Sequence, residues 1–472
     1  MREEADGRRA NVGGDLPSIR FTPPGPRPLS PVVALARTAL AGEGDLLSLL
    51  PADAYRVPIG PLGYSRRQIL VVNDPALVRT VLDDEEGIFP KNDLMTGALA
   101  PLVGNAMFVS SGDTWRRQRA MVDPAFSHMR INRAFASMAS AVDAYEAHLD
   151  GLAGRSESLD IDAAMSHLTA DVICRTIFST ELATDASRDV FRAFELFEKR
   201  IAHVDLLRLI FGRAFADVPH DEDVLEACRT IRRRLGEFVD PRLAGEVAHD
   251  DICGAVIAAR DADTGAAFDR EELIDQLGVF FLAGHETTAS VLTWVMTLLT
   301  CYPQLAEAMR AEVDAVVGDG AVTFEHTKHL PFVRAVFRET ARLYPPITFI
   351  PRVATRATRL GGRRVRRGAM VMISPWTIHR HELLWDRPNE FDPSRFLASA
   401  DGGVAASSYI PFGHGPRLCV GAAFATIESC LILARLVRRY HFERTDDAEI
   451  RPVARLTTRP RDEVRLRVTR RR

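Results

Sequence analysis

At 472 residues and a formal net charge of −3, the chain has no global electrostatic pull towards nucleic acid or an anionic membrane. Hydrophobic residues at 46% against 26% charged exclude a largely disordered chain and allow a large buried core. Six cysteines with no C-x-x-C pair exclude a dense disulfide framework and favour a reducing compartment.

Taken in order, the first twenty residues hold no apolar run of signal-peptide or anchor length, which predicts a cytoplasmic protein without a membrane anchor. Residues 1–30 end in a proline-rich stretch, FTPPGPRPLSP from Phe21 to Pro31, that forbids helix and predicts a flexible, extended lead-in. Tyr64 to Leu82 predicts a strand, a turn at Asn73-Asp74-Pro75 and a helix. Pro90 to Val109 is apolar but aperiodic and reads as a loop that covers something. From Thr114 to about Arg260 apolar residues recur at three and four positions, so helices dominate.

Leu277 to Thr300 is the one segment long and apolar enough to tempt a membrane reading, but it carries His285, Glu286 and two threonines at its middle. A central acid costs roughly 2.5–3.5 kcal/mol on insertion scales, so a long buried helix of about 35 Å is expected. Pro303 starts another helix, and Leu330-Pro331 starts a third that runs to Leu343 and stops at Tyr344-Pro345-Pro346. Beyond Pro351 short strands and turns carry Arg352, Arg356, Arg359, Arg363, Arg364, Arg366 and Arg367. These read as solvated edges of a small sheet, with a partner-docking face as the alternative. No repeat or linker divides the sequence, so one large mixed domain over 31–472 is expected.

Near the C-terminus the stretch PFGHGPRLCVG, Pro411 to Gly421, sets one cysteine among glycines and prolines that specify backbone shape. An apolar helical pattern follows, placing Cys419 just before a helix N-terminus, where the dipole and free N–H groups should lower the thiol pKa. No nearby cysteine or suitably spaced histidine completes a tetrahedral zinc set. A buried structural cysteine is one reading; the sole protein ligand of a porphyrin-bound iron is the other.

Phe412, Gly413, Gly415, Arg417, Cys419 and Gly421 match the heme-binding loop of the cytochrome P450 family position for position, and the resemblance extends from about Leu50 to Val468. It implies a mainly α fold with a smaller β region, a long central helix over heme b, and Cys419 as the axial thiolate. It also implies an acid-alcohol pair on that helix, a Glu-x-x-Arg helix and a later arginine, and all three are present in that order. AGHETT, Ala283 to Thr288, supplies the first. Gly284 leaves room for a ligand beside the helix, and Thr287 can turn its hydroxyl onto the carbonyl four residues earlier. Glu286 and Thr287 would then relay protons to iron-bound dioxygen, the carboxylate connecting to solvent; taken bare, such a pair reads as a solvated helix face.

Glu339 and Arg342, three apart on a helix, would by themselves form an ordinary surface pair. The resemblance implies burial instead, with Arg395 closing a triad that staples this helix to the cysteine loop and serves folding and heme retention. Heme propionates need cations or indole donors. Matching positions are Trp115, Arg119, Arg352 and Arg417, with His414 equally readable as a structural loop residue; Arg116 and Arg117 read as solvent-facing or as a redox-partner surface.

The family's pocket walls fall on Leu94, Met95, Leu99, Leu102, Met107 and Phe108, on Phe280, Ala283 and Gly284, and on Ile347, Thr348 and Phe349, with Phe191 to Phe211 as a lid. Each aliphatic residue taken alone reads as core packing before it reads as pocket wall. Few fixed charges lie in these stretches, which favours an apolar substrate such as a fatty acid, terpenoid or steroid-like molecule. The implied activity is a heme-thiolate monooxygenase that draws electrons from a separate donor, a ferredoxin or flavodoxin with its reductase. A peroxide-using or isomerising heme-thiolate enzyme and a non-catalytic heme sensor or carrier are the alternatives.

Overall fold

Asp269 caps the element around which the molecule is built. Its carboxylate accepts the Glu272 N–H (2.8 Å) while the Glu272 carboxylate accepts the Asp269 N–H (3.2 Å). This reciprocal cap starts the central helix at Arg270, and the helix runs to Cys301. It therefore begins about two turns before the apolar run does, because the cap and not hydrophobicity sets its start. The computed structural model describes residues 19–25, 33, 47, 50–62, 67–201, 218–397 and 408–471. Of the described residues 56% are helix and 11% strand, the mainly α composition with a smaller β region that the resemblance implies.

Helices Ile161–Ile177, Pro331–Leu343 and Ala422–Arg439 pack against the central helix, and Asp185–Ile201 lies across it with Phe194 stacked on Phe281 at 4.6 Å. Its buried polar groups have defined partners. The Trp294 indole and the Ser290 hydroxyl both donate to the Thr458 carbonyl, at 2.9 and 2.7 Å, so a C-terminal strand is pinned to the helix. Trp294 also stacks face to face on Tyr344, which ends the Glu339 helix.

The strands in chain order are β1 Ile59–Pro61, β2 Ile69–Val72, β3 Ser158–Asp160, β4 Ile350–Val353, β5 Thr358–Leu360, β6 Arg363–Val365, β7 Met370–Ile373, β8 Tyr440–Arg444, β9 Pro452–Ala454, β10 Thr458–Pro460 and β11 Arg465–Arg470. The largest sheet has the order β1-β2-β7-β4, with β2 and β7 parallel and the outer pairs antiparallel. β5 and β6 form a hairpin whose two-residue turn, Gly361-Gly362, has φ of +54° and +75°, a conformation that glycine adopts without strain. The arginine run divides here: Arg356, Arg359, Arg363, Arg364, Arg366 and Arg367 are exposed, whereas Arg352 on β4 is buried.

Two expectations need correction. Pro90 to Val109 is not a loop throughout, because Asp93–Val103 is a helix capped by the Asn92 side chain, which accepts the Leu94 N–H at 2.8 Å. That helix is apolar on several sides, so it shows no 3.6-residue period in the sequence. The described part of the lead-in is not loose either. Phe21 exchanges backbone hydrogen bonds with Phe391 and stacks on Tyr302, and the Tyr344 hydroxyl donates to the Pro24 carbonyl. Of the expected lid, Phe191 to Ile201 belongs to the helix that starts at Asp185, while 202–211 lie outside the described residues.

The segment leading to the cysteine loop hangs on one buried guanidinium. Arg342 Nε and Nη2 donate to the Glu339 carboxylate at 2.7 and 2.8 Å. The same group donates to the carbonyls of His379 (2.7 Å), Pro388 (2.7 Å) and Glu390 (2.8 Å). Arg395 approaches Glu339 at 3.5 Å, and the Asp392 N–H donates to the same carboxylate at 2.8 Å. Glu339 and Arg342 are fully buried, as the resemblance implies and as a surface pair would not be.

His379 extends this staple to the loop, a role that sequence reasoning missed. The Ile410 N–H donates to its Nε2 at 2.9 Å, so the proton sits on Nδ1, which donates to the Arg342 carbonyl at 3.0 Å. Burial and the neighbouring Arg342 push its pKa down to about 3, which keeps the imidazole neutral. Arg342→Lys keeps the charge but loses the bidentate fork, and is expected to destabilise the protein by about 3–5 kcal/mol. A urea midpoint equal to that of the wild type would show that the staple is redundant.

Candidate active site

Cys419 lies three residues before the first residue of helix Ala422–Arg439. Its N–H donates to the Phe412 carbonyl at 2.9 Å, and the Leu418 N–H to that of Gly415 at 3.0 Å, closing the loop on itself. Gly413 (φ +80°) and Gly415 (φ +72°) occupy left-handed backbone, and a Cβ on Gly415 would lie 2.3 Å from Asp83 Oδ1. Gly421 has an ordinary φ of −85°, so backbone freedom is not its purpose. Its N–H donates to the Cys419 sulfur, and a Cβ there would sit 3.9 Å from Sγ.

The Cys419 side chain is accessible although it sits deep in the protein, so it lines an internal space. The thiol pKa is raised, against expectation, because burial outweighs the Gly421 N–H and the Arg119 charge. A bound metal cation would reverse that order by taking the thiolate directly.

Above the sulfur-bearing loop, every residue of the central helix from Gln276 to Leu299 is buried except Ala283, Gly284 and Thr287. Offsets of one and four residues put these three on one face. The Thr287 hydroxyl donates to the Ala283 carbonyl at 2.6 Å, the back-bond expected from the sequence. Gly284 needs a correction: a Cβ there would lie 2.5 Å from Ile173 Cδ1, so the glycine makes room for helix Ile161–Ile177 rather than for a ligand.

Whether these residues fit a heme can be tested on charge. Arg417 and Arg352 lie close enough to lower the Lys91 pKa, Arg352 lowers that of Arg417 while Asp84 acts the other way on both arginines, and Lys91 pairs with Arg352 in an isolated β-bridge. Burial and mutual repulsion hold Lys91 well below its ordinary value, and burial is the main cause that brings Arg352 and Arg417 down to about 10. Among the described residues no carboxylate lies within ion-pair distance of any of the three; their bonds go to the carbonyls of Phe108, Pro351 and Ser110. Such a cluster calls for an anion, and the two propionates of a heme, if Cys419 held it, would supply one. The Arg417 guanidinium stacks over Trp115 at 4.3 Å, which brings Trp115 to the same cluster.

The comparisons agree with this chemistry. The family model Cytochrome P450 matches residues 53–466. The chain belongs to the cytochrome P450 family. Cyclooctatin synthase of Streptomyces melanosporofaciens is 32% identical over 86% of this chain and 87% of its own. Cyclooctat-9-en-7-ol 5-monooxygenase of the same organism is 32% identical over 92% of this chain and 91% of its own. The crystal structure of the cytochrome P450DA heme domain superposes with a TM-score of 0.76, at 24% identity, over 88% of this chain and 89% of that one, which shows the fold. As a P450 the chain is a monooxygenase with a cysteine-ligated heme. No helix among the described residues is long and apolar enough to cross a membrane.

Several predicted site residues of this P450 sit differently from expectation. Glu286 does not reach solvent. Its carboxylate accepts from the Thr457 hydroxyl at 2.5 Å and is held by the Arg459 guanidinium, which also binds Asp162 at 2.5 Å. Burial pushes the Glu286 pKa up, but Arg459, His285 and Thr457 together hold it below the usual carboxylate value. Arg119 anchors the loop rather than standing free: its Nη1 donates to the Leu418 carbonyl at 2.7 Å and its Nε pairs with Asp123 at 2.5 Å. His414 lies 3.9 Å from Asp83, beyond hydrogen-bond distance. Arg116 is exposed and pairs with Asp113, whereas Arg117 pairs with Glu272 at the start of the central helix.

The pocket residues divide. Leu99, Leu102, Met107, Phe280 and Thr348 are buried, with Phe280 edge-on to Phe126 at 5.2 Å, which is core packing. Leu94 packs against β2 and Met370. Met95, Phe108, Ile347 and Phe349 keep accessible apolar surface. Sequence reasoning missed Lys91, although a lone cation in a greasy stretch was a usable signal. It also missed Arg459, whose partner Glu286 is 173 residues away.

Lys91→Met is expected to speed heme transfer to apomyoglobin about tenfold, equivalent to ~1.4 kcal/mol, whereas His414→Ala leaves the rate unchanged. Equal rates in all three proteins would remove Lys91 from the propionate site.

Proposed function

We propose that this P450 hydroxylates an apolar, terpenoid-like molecule, taking electrons from a separate ferredoxin or flavodoxin. The observation that carries the substrate class is that Met95, Phe108, Ile347, Phe349 and Ala283, all at positions expected to line the pocket, keep accessible and uncharged surface. Such a wall orients a substrate by shape and keeps water out. The relatives named for cyclooctatin and cyclooctat-9-en-7-ol point the same way. Leu418, 44% exposed and one residue before Cys419, offers the electron donor an apolar contact beside the thiolate.

Bound through Cys419, heme supplies dioxygen reduction and C–H oxidation. The chain supplies the rest. The Gly421 N–H tempers the charge on sulfur, and the cations Lys91, Arg352 and Arg417 neutralise the propionates. Thr287 presents a hydroxyl whose proton is directed to the Ala283 carbonyl, leaving its oxygen free to accept a hydrogen bond from a water. This hydroxyl disfavours a heme carrier or sensor, which has no need of a proton station.

Reduced with dithionite under carbon monoxide, the wild type is expected to show the red-shifted Soret band of a thiolate-ligated heme, and Cys419→Ser to lose it. Thr287→Ala should divert most reducing equivalents into hydrogen peroxide, measured as peroxide formed per NADPH with a surrogate ferredoxin and reductase. A carrier or sensor would be insensitive to that substitution. For the substrate class, a panel of cyclic terpenoids and fatty acids is titrated against the ferric Soret band; a spin-state shift with fatty acids alone would overturn the terpenoid assignment.

A further inference from the structure

His285 precedes the relay acid and is buried under aromatic rings, with Phe191, Phe194 and Phe281 centred 5.0–6.0 Å from its own. Its Nδ1 lies 2.7 Å from the Phe281 carbonyl, which can only accept, so Nδ1 must carry a proton in every ionisation state. Its Nε2 lies 3.3 Å from Glu198 Oε1 on the neighbouring helix Asp185–Ile201. With Nδ1 committed, that contact can hold one proton: either the carboxylic acid donates to neutral imidazole, or imidazolium donates to carboxylate. A second proton would have to sit on Glu198 Oε2, outside the contact, and none would set lone pair against lone pair. Apart from this contact, Glu198 Oε1 is buried without a hydrogen-bond partner. The ligand atoms of Glu198, His285 and Glu286 all lie within 4.8 Å of one another.

We infer that the Glu198–His285 pair, and not Glu286, stores the proton that this P450 draws on during turnover. Glu286 is poorly suited to store it, because Arg459 and Thr457 keep it ionised. Its carboxylate, within 4.8 Å of the pair, instead holds the negative charge that keeps the proton on the pair until turnover draws it off. The pair gives up a single proton and is left as a Glu198 carboxylate and an Nδ1–H imidazole. Solvent returns the proton at the edge of Glu198, whose side chain keeps 15% of its surface accessible. Because Glu198 and His285 sit on different helices, the store exists only while helix Asp185–Ile201 is seated on the central helix.

The charged groups facing the pair from the packed elements are Glu286, Arg459 on β10 and, beyond it, Asp162 on helix Ile161–Ile177. Burial and the Glu286 charge raise Glu198 to about 7, while Glu198 raises His285. The pair is therefore loaded on the acid side of neutrality and empties as pH rises through that value.

The inference rests on the monooxygenase reading, and the test separates the two. In the ferrous carbonyl form of the heme-loaded protein, 15N-histidine NMR should show a His285 ring that titrates near neutrality, and Glu198→Gln should abolish or displace that titration. With NADPH, a surrogate ferredoxin and its reductase, Glu198→Gln should lower turnover about tenfold on the acid side. It should also flatten the alkaline decline and enlarge the solvent deuterium isotope effect, while Glu198→Asp restores part of the rate. An unchanged pH profile and isotope effect in Glu198→Gln, or no His285 titration in the wild type, would overturn the inference. Absence of the thiolate carbonyl band in the wild type would instead overturn the monooxygenase reading.

Discussion

The buried Arg342 guanidinium is the constraint on which the site depends. It is fully buried, yet every direction of its fork ends on an oxygen: two on Glu339 and three on carbonyls of the chain between 379 and 390. A charge taken out of water is tolerated only when it is saturated in this way. The consequence is geometric. A segment with little regular structure is held against helix Pro331–Leu343, and through His379 the same frame grips Ile410 at the entrance to the cysteine loop. Position is thereby passed from a rigid helix to the sulfur by hydrogen bonds alone.

Buried charge elsewhere in the molecule takes two contrasting forms. Arg459 is saturated by Glu286 and Asp162 and locks β10 to two helices, so its role is complete within the polypeptide. Lys91, Arg352 and Arg417 donate only to carbonyls, and Asp84 acts on the two arginines from beyond ion-pair distance, so an anion from outside the chain would complete their balance. The central helix carries Glu286 of the first network and, from Gln276 to Leu299, is open only at Ala283, Gly284 and Thr287.

Local chemistry was legible where a residue acts on its own neighbourhood. The shape of the cysteine loop, the back-bond of Thr287 to Ala283, and the proline starts of two helices are all contacts within a few residues, and the structure has each of them. The helix Asp93–Val103 was illegible because it is apolar on several sides and carries an internal proline, which leaves no period to read. Gly284 was misread because a missing side chain does not say what fills the space; here it is Ile173.

By itself the sequence determined that a cysteine would sit before a helix on a glycine-shaped loop and that a long buried helix would carry a polar notch, since these follow from residue type and spacing; the placing of one over the other came only from the resemblance. Only the tertiary structure decided which charges are satisfied. Arg459 meets Glu286 across 173 residues, Glu198 meets His285 across a helix interface, and Lys91, Arg352 and Arg417 converge from three separate segments. Burial sets the strength of such interactions and approach sets their sign. Neither is a property of one residue, so neither can be read from the chain until it has folded.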